Sequence, residues 1–83
     1  MDKNGYMDAV LVDIRTMNSC KPNEYIRASF AVQDKYYYQN ILLNYSEQGI
    51  KDLTFWSANR KNYIIGAKAK IKTEKTTVLA VKF

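Results

Sequence analysis

The sequence predicts a single, mainly β domain that contains one short helix. Apolar residues recur at every second position in several separate stretches, and this spacing places one face of a strand in a core. Between the third and fourth stretches, the spacing changes to the one that gives a helix an apolar stripe. The chain has 83 residues, enough for one domain, and its 47% hydrophobic content is enough to form a core. We therefore expect residues 1–83 to fold as one unit.

The first predicted strand runs from about Tyr6 to Thr16. Its first half is apolar on both faces, with Val10, Val12 and Ile14 on one side and Ala9 and Leu11 on the other, followed there by Asp13 and Arg15. A strand that begins buried on both faces and ends half-exposed is typical of a bent strand shared by two parts of a barrel. The polar residues 17–23, which include the proline, are expected to form a loop.

The second and third predicted strands form a hairpin. In residues 24–33, Ile26, Ala28, Phe30 and Val32 are expected to face the core, and Tyr25, Arg27, Ser29, Ala31 and Gln33 to face outward. Asp34-Lys35 is the expected turn. In residues 36–45, we expect Tyr37, Gln39, Ile41, Leu43 and Tyr45 on the core side, and Tyr36, Tyr38, Asn40, Leu42 and Asn44 on the outer side.

The predicted helix begins at Ser46, a residue type that caps helix N-termini well, and ends near Ala58. Its core-facing stripe is expected to contain Ile50, Leu53 and either Phe55 or Trp56. We assign Trp56 to the core rather than to a binding site. Gly49 lowers the helix propensity of this segment.

The last two predicted strands follow the helix. In the fourth, residues 61–73, Tyr63, Ile65, Ala67, Ala69 and Ile71 are expected on the core side, and Ile64, Gly66, Lys68, Lys70 and Lys72 on the outer side. After a turn at residues 74–76, the fifth strand, residues 77–83, has Val78 and Ala80 on one face and Leu79 and Val81 on the other. Three strands, a helix and two strands is the element order of the OB-fold, a five-stranded barrel. The alternatives are a small SH3-like barrel and an α+β domain with an open sheet.

The composition excludes most familiar kinds of enzyme. The chain has no histidine, which removes Ser-His-Asp and Cys-His nucleophile systems and zinc–histidine sites. Cys20 is the only cysteine, so neither an intrachain disulfide nor a four-cysteine zinc site can form. We therefore expect a protein that is not an enzyme and that needs no metal or cofactor. The polar N-terminus and the lack of a long apolar run predict a cytoplasmic protein without a membrane segment.

The positive charge is concentrated near the C-terminus. Residues 60–83 contain seven basic residues and one acidic residue, Glu74, while the whole chain carries a net charge of +5. Lys68, Lys70 and Lys72 are expected to project from one strand face about 6.6–7 Å apart, close to the phosphate spacing of an extended single strand. Lys75, in the following turn, would extend this row. The row predicts a polyanion-binding surface; the alternative is a solvated face that discourages aggregation at a sheet edge.

Exposed tyrosines form the second candidate site. Tyr36 and Tyr38 are expected on the outer face, beside Arg27 and Tyr25 of the paired strand. Bases stack on such rings with about 1–3 kcal/mol each and without sequence choice, so these residues predict a platform for single-stranded nucleic acid. Two alternatives remain: tyrosines that only stabilise the sheet, and a protein interface that uses exposed Tyr and Arg. If the platform and the lysine row do not share one face of the barrel, the nucleic-acid interpretation loses half of its support.

The order of elements, the outward aromatic residues and the basic fourth strand resemble those of OB-fold single-stranded-DNA-binding proteins from phages and mobile elements. The resemblance spans roughly residues 9–72, and the segments Asn23-Glu24-Tyr25-Ile26 through Asp34, Tyr38-Gln39-Asn40 and Ser46-Glu47 look like the middle of such proteins. It implies sequence-tolerant binding of single-stranded DNA, or of RNA, in replication or recombination. The chain ends in Val81-Lys82-Phe83 rather than in the acidic tail of bacterial single-strand-binding proteins, so we expect an accessory to a polymerase, primase or helicase.

A protein-interaction module is the competing function. Such a module would be a subunit of a polymerase, primase or helicase, or a small inhibitor of a host protein. The many tyrosines and the small size of the chain favour it. Strand edges that remain exposed could also pair two copies into a homodimer.

Overall fold

The computed structural model describes residues 5–20 and 23–83 of the chain, most of which belong to five strands and one α-helix. The strands are β1 (Met7–Cys20), β2 (Asn23–Val32), β3 (Lys35–Leu42), β4 (Lys68–Glu74) and β5 (Thr77–Lys82), and helix α1 (Glu47–Asn59) lies between β3 and β4. A 3-10 turn (Arg60–Asn62) follows α1. In this described part of the chain, no helix is long and apolar enough to cross a membrane.

The five strands form a sheet that closes on itself in the order β1-β2-β3-β5-β4. Neighbouring strands are antiparallel except β3 and β5, which are parallel and meet where Tyr38 lies opposite Thr77. The predicted fold class is therefore confirmed: a mainly β, five-stranded OB-like barrel with one helix between its third and fourth strands. The open-sheet alternative is wrong, because the first and fourth strands pair and close the ring.

The core fills the inside of this barrel. The largest fully buried side chains come from four of the strands: Leu11, Phe30, Ile41 and Ile71. The inward face predicted for β2 is confirmed, since Ile26 and Ala28 are also buried and Val32 packs against them. Full burial of a large apolar side chain contributes about 1.5–3 kcal/mol, so the barrel interior is a main source of the fold's stability.

A bulge in β1 changes which of its residues face the core. The register between β1 and β2 shifts between Leu11 and Asp13, which leaves Val12 as an extra residue in the ladder. Beyond the bulge, Ile14 packs against the core with Leu11. Uninterrupted alternation predicts Ile14 on the same side as Val10 and Val12. Both valines are exposed, so the predicted side of Ile14 is wrong.

β1 is longer than predicted and belongs to two parts of the barrel. Its first residues, Met7–Val10, pair with β4, and the strand then pairs with β2 along the rest of its length, which confirms the expected sharing. The loop expected at residues 17–23 is wrong for its described part, because Met17 pairs with Tyr25 and the ladder continues to the end of β1. Pairing with β2 holds these polar residues extended against their turn propensity. Residues 21–22 lie outside the described part.

The two hairpins, β2–β3 and β4–β5, differ in detail from the prediction. The β2–β3 turn consists of residues 33–34 rather than Asp34-Lys35, and Gln33 adopts a positive φ of 57° there. The register of β4 and β5 also shifts once. Val78 and Val81 both pack inward as a result, although alternation predicts them on opposite faces.

β4 begins at Lys68, later than predicted. Ile65, which was expected on the core side, is exposed, and the chain turns there instead of running as a strand. Gly66 has a φ of 95°, and its N–H donates to the Leu11 carbonyl at 2.7 Å. Glycine adopts this backbone conformation without strain, so the turn can dock on β1 next to its bulge before β4 starts.

β3 ends at Leu42, earlier than predicted. The Leu42 N–H donates to the Asp52 carboxylate of α1 at 3.0 Å, and the Asn44 side chain accepts a hydrogen bond from the Ser46 N–H at 3.1 Å. Such side-chain bonds compete with strand pairing and turn the chain towards the helix. Tyr45, predicted on the core side, is 93% exposed, and that assignment is wrong.

Helix α1 begins at the predicted cap. The Ser46 hydroxyl accepts a hydrogen bond from the Gly49 N–H at 3.1 Å. Gly49 is buried, and a Cβ atom at this position would collide with the backbone carbonyl of Asn44. The close approach of the two chain segments therefore requires glycine here, despite its low helix propensity.

Tyr63 joins α1 to the barrel. Its ring centroid lies 6.4 Å from that of Phe55 and 4.9 Å from that of Trp56, and its hydroxyl donates to Gln39 Oε1 at 2.6 Å. The prediction that Trp56 packs with the core is confirmed, and Phe55 joins it. Ile50 is 53% exposed, so its place on the core-facing stripe is wrong.

We predict that Gly49→Ala destabilises the protein, although alanine is the better helix former. The added Cβ forces Asn44 and the start of α1 apart, at an expected cost of about 1–3 kcal/mol. Ser57→Ala, at an exposed position of the same helix, is the control and should change stability by less than about 0.5 kcal/mol. Urea denaturation measures all three proteins. Equal stability of the two variants would contradict the close contact.

We also predict that ionisation of Tyr63 weakens the fold at high pH. Burial raises the pKa of its phenol well above the usual 10.0, and the hydrogen bond with Gln39 offsets this only in part. The folded state therefore holds the proton more tightly than the unfolded chain, and stability decreases as the pH rises above about 10. Tyr63→Phe should be about 1 kcal/mol less stable at neutral pH and lose less stability on alkalinisation.

Denaturation across neutral and alkaline pH measures this difference. Tyr36→Phe, at an exposed tyrosine, is the control and should keep the alkaline slope of the original protein. The same slope in Tyr63→Phe would show that the buried phenol does not contribute to it.

Candidate nucleic-acid interface

The outer face of β1, β2 and β3 aligns polar and aromatic side chains into rows. The register places Arg15, Arg27 and Asn40 in one row, and Asp13, Ser29 and Tyr38 in the next. The outward positions on β2 and β3 follow from their alternation, as predicted, although Ser29 in the middle of this face is buried. The positions on β1 follow from its bulge, because the extra residue sets which side chains beyond it face outward.

Three predicted site residues, Tyr25, Arg27 and Tyr38, lie together on this face and form what we call the Tyr–Arg platform. The guanidinium carbon of Arg27 lies 5.7 Å from the ring centroid of Tyr25 and 5.3 Å from that of Tyr38. Arg27 Nε donates to Asn40 Oδ1 at 3.2 Å, and its Nη2 donates to the Tyr25 hydroxyl at 3.3 Å. Cation–π contacts at exposed sites contribute about 0.5–1 kcal/mol, so these partners together hold the guanidinium in place.

A cleft of about 280 Å³ lies between the platform and β1. Asp13, Arg15 and Met17 line its β1 side. Arg15 lies directly opposite Arg27 in the ladder, and like charges in such positions destabilise a sheet. Asp13 offsets part of this repulsion, because its carboxylate pairs with Arg15 Nε at 2.6 Å.

The sequence prediction did not assign Arg15, Asp13 or Asn40 to the site. Arg15 and Asp13 join it through the bulge in β1 and the register of β1 with β2, which alternation along one strand does not predict. Asn40 did carry a signal, since alternation predicted it on the same side of the strand as Tyr38.

Tyr36 and Lys75 border the platform. Tyr36 is 55% exposed on the outer side of β3, whereas Tyr37 packs inward, so the run of tyrosines divides as predicted. The β4–β5 turn lies beside Tyr38, whose N–H donates to the Thr76 carbonyl at 2.8 Å. Lys75 belongs to this turn, so it stands at the rim of the platform.

The remaining predicted lysines project from another part of the barrel. Lys68, Lys70 and Lys72 are exposed on β4 and alternate with buried Ala69 and Ile71, as predicted. Over residues 68–71, β4 pairs with β1 on one side, and from residue 70 it pairs with β5 on the other. Protection of a free sheet edge therefore does not explain Lys70, which is paired on both sides, although Lys68 and Lys72 are each paired on one side only.

The lysine row and the Tyr–Arg platform do not share one face. In the ring, β1 separates β4 from β2, and β5 separates β4 from β3. Besides a shorter row through β5 that links Glu74, Thr77 and Tyr38, the two regions are linked by the row of successive partners Lys68, Val10, Ala31 and Tyr36. Its three interstrand steps add up to about 14 Å along the outer wall. The platform and the lysine row therefore do not form one continuous site, and the cations belong to two separate surfaces.

No protein-family model matches the sequence, and neither a curated protein nor a solved structure matches the chain. The function is therefore inferred from the geometry of the two surfaces. In residues 5–20 and 23–83, no group of three or more histidine, cysteine or acidic side chains is placed to hold a metal ion.

Proposed function

We propose that this chain binds single-stranded nucleic acid, without sequence choice, on the Tyr–Arg platform. The observation that carries the proposal is the position of Arg27, whose guanidinium lies within 6 Å of two outward tyrosine rings and is held by Asn40. Aromatic rings interleaved with a fixed cation on an outer strand face suit a ligand that alternates flat bases with phosphates.

Arg27 is prepared to bind a phosphate. A guanidinium has five N–H donors, and Asn40 and Tyr25 take one donor from Nε and one from Nη2. The Nη1 amino group is not used by either partner and is suited to a phosphate oxygen. Because the side chain is already held, binding costs little of its rotamer entropy.

The tyrosine rings supply the contact with bases. Tyr38 and the more exposed Tyr36 lie two residues apart on one side of β3, so their rings can receive successive bases of one strand. Stacking uses the π-face that every base has, which explains why we expect no sequence preference. Arg15 and Lys75 would add phosphate contacts on either side of the platform.

We assign the chain an accessory role beside a polymerase, primase or helicase rather than an enzymatic one. The support is the composition: 83 residues without histidine supply a binding surface more readily than a catalytic centre. A protein-interaction module is the second candidate, and exposed Tyr45 and Ile50 at one surface groove on α1 favour it. If the chain is only a protein-interaction module, it should not bind an oligonucleotide even at low salt.

We predict that Tyr38→Ala weakens the binding of a fluorescein-labelled dT oligomer by about 5- to 150-fold, the equivalent of one lost stacking contact of 1–3 kcal/mol. Arg27→Ala should weaken binding and also reduce the slope of log affinity against log salt by about 0.7, because one phosphate contact is lost. Fluorescence anisotropy at several salt concentrations measures both effects. Failure of the original protein to bind at low salt would contradict the proposal.

Tyr45→Ala is the matched control for the tyrosine variant. Tyr45 is 93% exposed and lies at the start of α1, outside the platform. Its removal should leave the affinity for the dT oligomer unchanged within about 2-fold. An equal loss in Tyr45→Ala and Tyr38→Ala would mean that the platform has no special part in binding.

We predict that Asp13→Asn strengthens binding of the same oligomer at low salt. The substitution frees Arg15 from its 2.6 Å ion pair and removes a negative charge next to the platform. The expected gain is about 2- to 5-fold and should shrink as salt screens the charges. Glu47→Gln, the same change of charge at an exposed position of α1, should give a smaller gain. Equal gains in the two variants would show that only net charge matters.

A further inference from the structure

Four exposed lysines form a second cationic surface on the barrel. Lys68, Lys70 and Lys72 of β4 and Lys82 of β5 make up what we call the lysine face. Lys70 lies directly opposite Lys82 in the β4–β5 ladder, and its partner on the other side is Asp8 of β1. Among the described residues, these four cations have two acidic neighbours, Asp8 and Glu74, so the surface keeps a net positive charge.

The lysine face is not explained by the stability of the fold. Like charges opposite each other destabilise a sheet, and Lys70 and Lys82 occupy such positions. Within the described residues, Lys68 and Lys72 form no ion pair. Lys70 has strand partners on both sides, so it does not serve to block an edge, whereas Lys68 is paired only with β1 and Lys72 only with β5.

The lysine face offers charge but few surfaces for stacking. Two aromatic rings lie beside it: the Lys82 ammonium lies 4.5 Å from the ring centroid of Tyr6, a contact of the kind that Arg27 makes with the platform rings, and Phe83 packs edge-on against Tyr63 with centroids 4.8 Å apart. Phe83 is 42% exposed and lines a cleft with three of these lysines, so a single strand bound there could stack one base on this ring and would leave its other bases in water. A duplex keeps its bases stacked internally and presents about one negative charge per 1.7 Å of its axis.

We propose that the lysine face binds the phosphate backbone of double-stranded nucleic acid. The next step rests on the function proposed above, in which the Tyr–Arg platform holds a single strand. With both surfaces occupied, the protein would favour a junction between duplex and single strand. Three interstrand steps, about 14 Å of outer wall, separate Tyr36 at the border of the platform from Lys68, and a few nucleotides of an extended strand can bridge this gap.

The experiment compares three DNAs in one buffer: a short dT oligomer, a blunt duplex, and the same duplex with the dT oligomer as a single-stranded tail. The variant is Lys68→Glu/Lys72→Glu, which reverses two lysines that form no ion pair in the described part of the chain. The control is Lys51→Glu/Lys61→Glu, the same change of charge at exposed positions outside both surfaces. Thermal unfolding checks that all three proteins are folded.

We expect the original protein to bind the blunt duplex, and the Lys68/Lys72 variant to lose about ten-fold or more of that affinity. The control should lose much less, and the variant should bind the dT oligomer almost as well as the original protein. The tailed duplex should bind about ten-fold tighter than either DNA alone, and the variant should reduce it to the affinity of the dT oligomer.

Three results would overturn the lysine-face proposal: no binding of the blunt duplex, equal losses in the variant and the control, or binding of polyglutamate as tightly as of the duplex. The last result would indicate an acidic protein as the partner. Failure of the platform proposal has a different signature. The dT oligomer would not bind, while binding of the duplex would still depend on Lys68 and Lys72.

Discussion

The bulge at Val12 of β1 is the constraint on which the rest of the structure depends. Before it, β1 pairs with β4 and closes the ring; beyond it, the strand pairs with β2 alone. The extra residue turns Ile14 into the core and leaves Arg15 on the outer face opposite Arg27. The turn before β4 docks at the same place, since Gly66 bonds to the Leu11 carbonyl. The bulge at Val12 therefore affects the packing of the core, the closure of the ring and the position of the candidate site.

Period-two alternation predicted the parts of the fold where a strand has one buried face. It assigned Tyr36, Tyr37 and Tyr38 to their correct sides and Lys68 and Lys70 to the outer wall, because burial of alternate side chains fixes their neighbours as well. It also placed the three members of the Tyr–Arg platform on the outer side of β2 and β3, although the turn predicted at Asp34-Lys35 gives a register two residues away from the observed one.

The sequence could not predict features that depend on bonds between distant segments. β3 ends where Asp52 of α1 accepts from the Leu42 N–H, and this bond moves Tyr45 out of the core. Propensity likewise marked residues 17–20 as loop, whereas pairing with β2 keeps them extended. The separation of the two cationic surfaces is of the same kind, because only the order of strands in the ring decides which faces are neighbours.

β1 supplies an acidic residue to each cationic surface. Asp13 pairs with Arg15 beside the platform, and Asp8 lies opposite Lys70 on the lysine face. In the free protein these carboxylates lower the repulsion between neighbouring cations, which otherwise weakens a sheet. A phosphate must compete with these carboxylates for the cations. The carboxylates therefore lower the affinity for phosphate while they stabilise the folded state. Asp8 and Asp13 both lie on β1, the strand that closes the barrel. This strand therefore contributes to the stability of the free protein and also lowers its affinity for a polyanion.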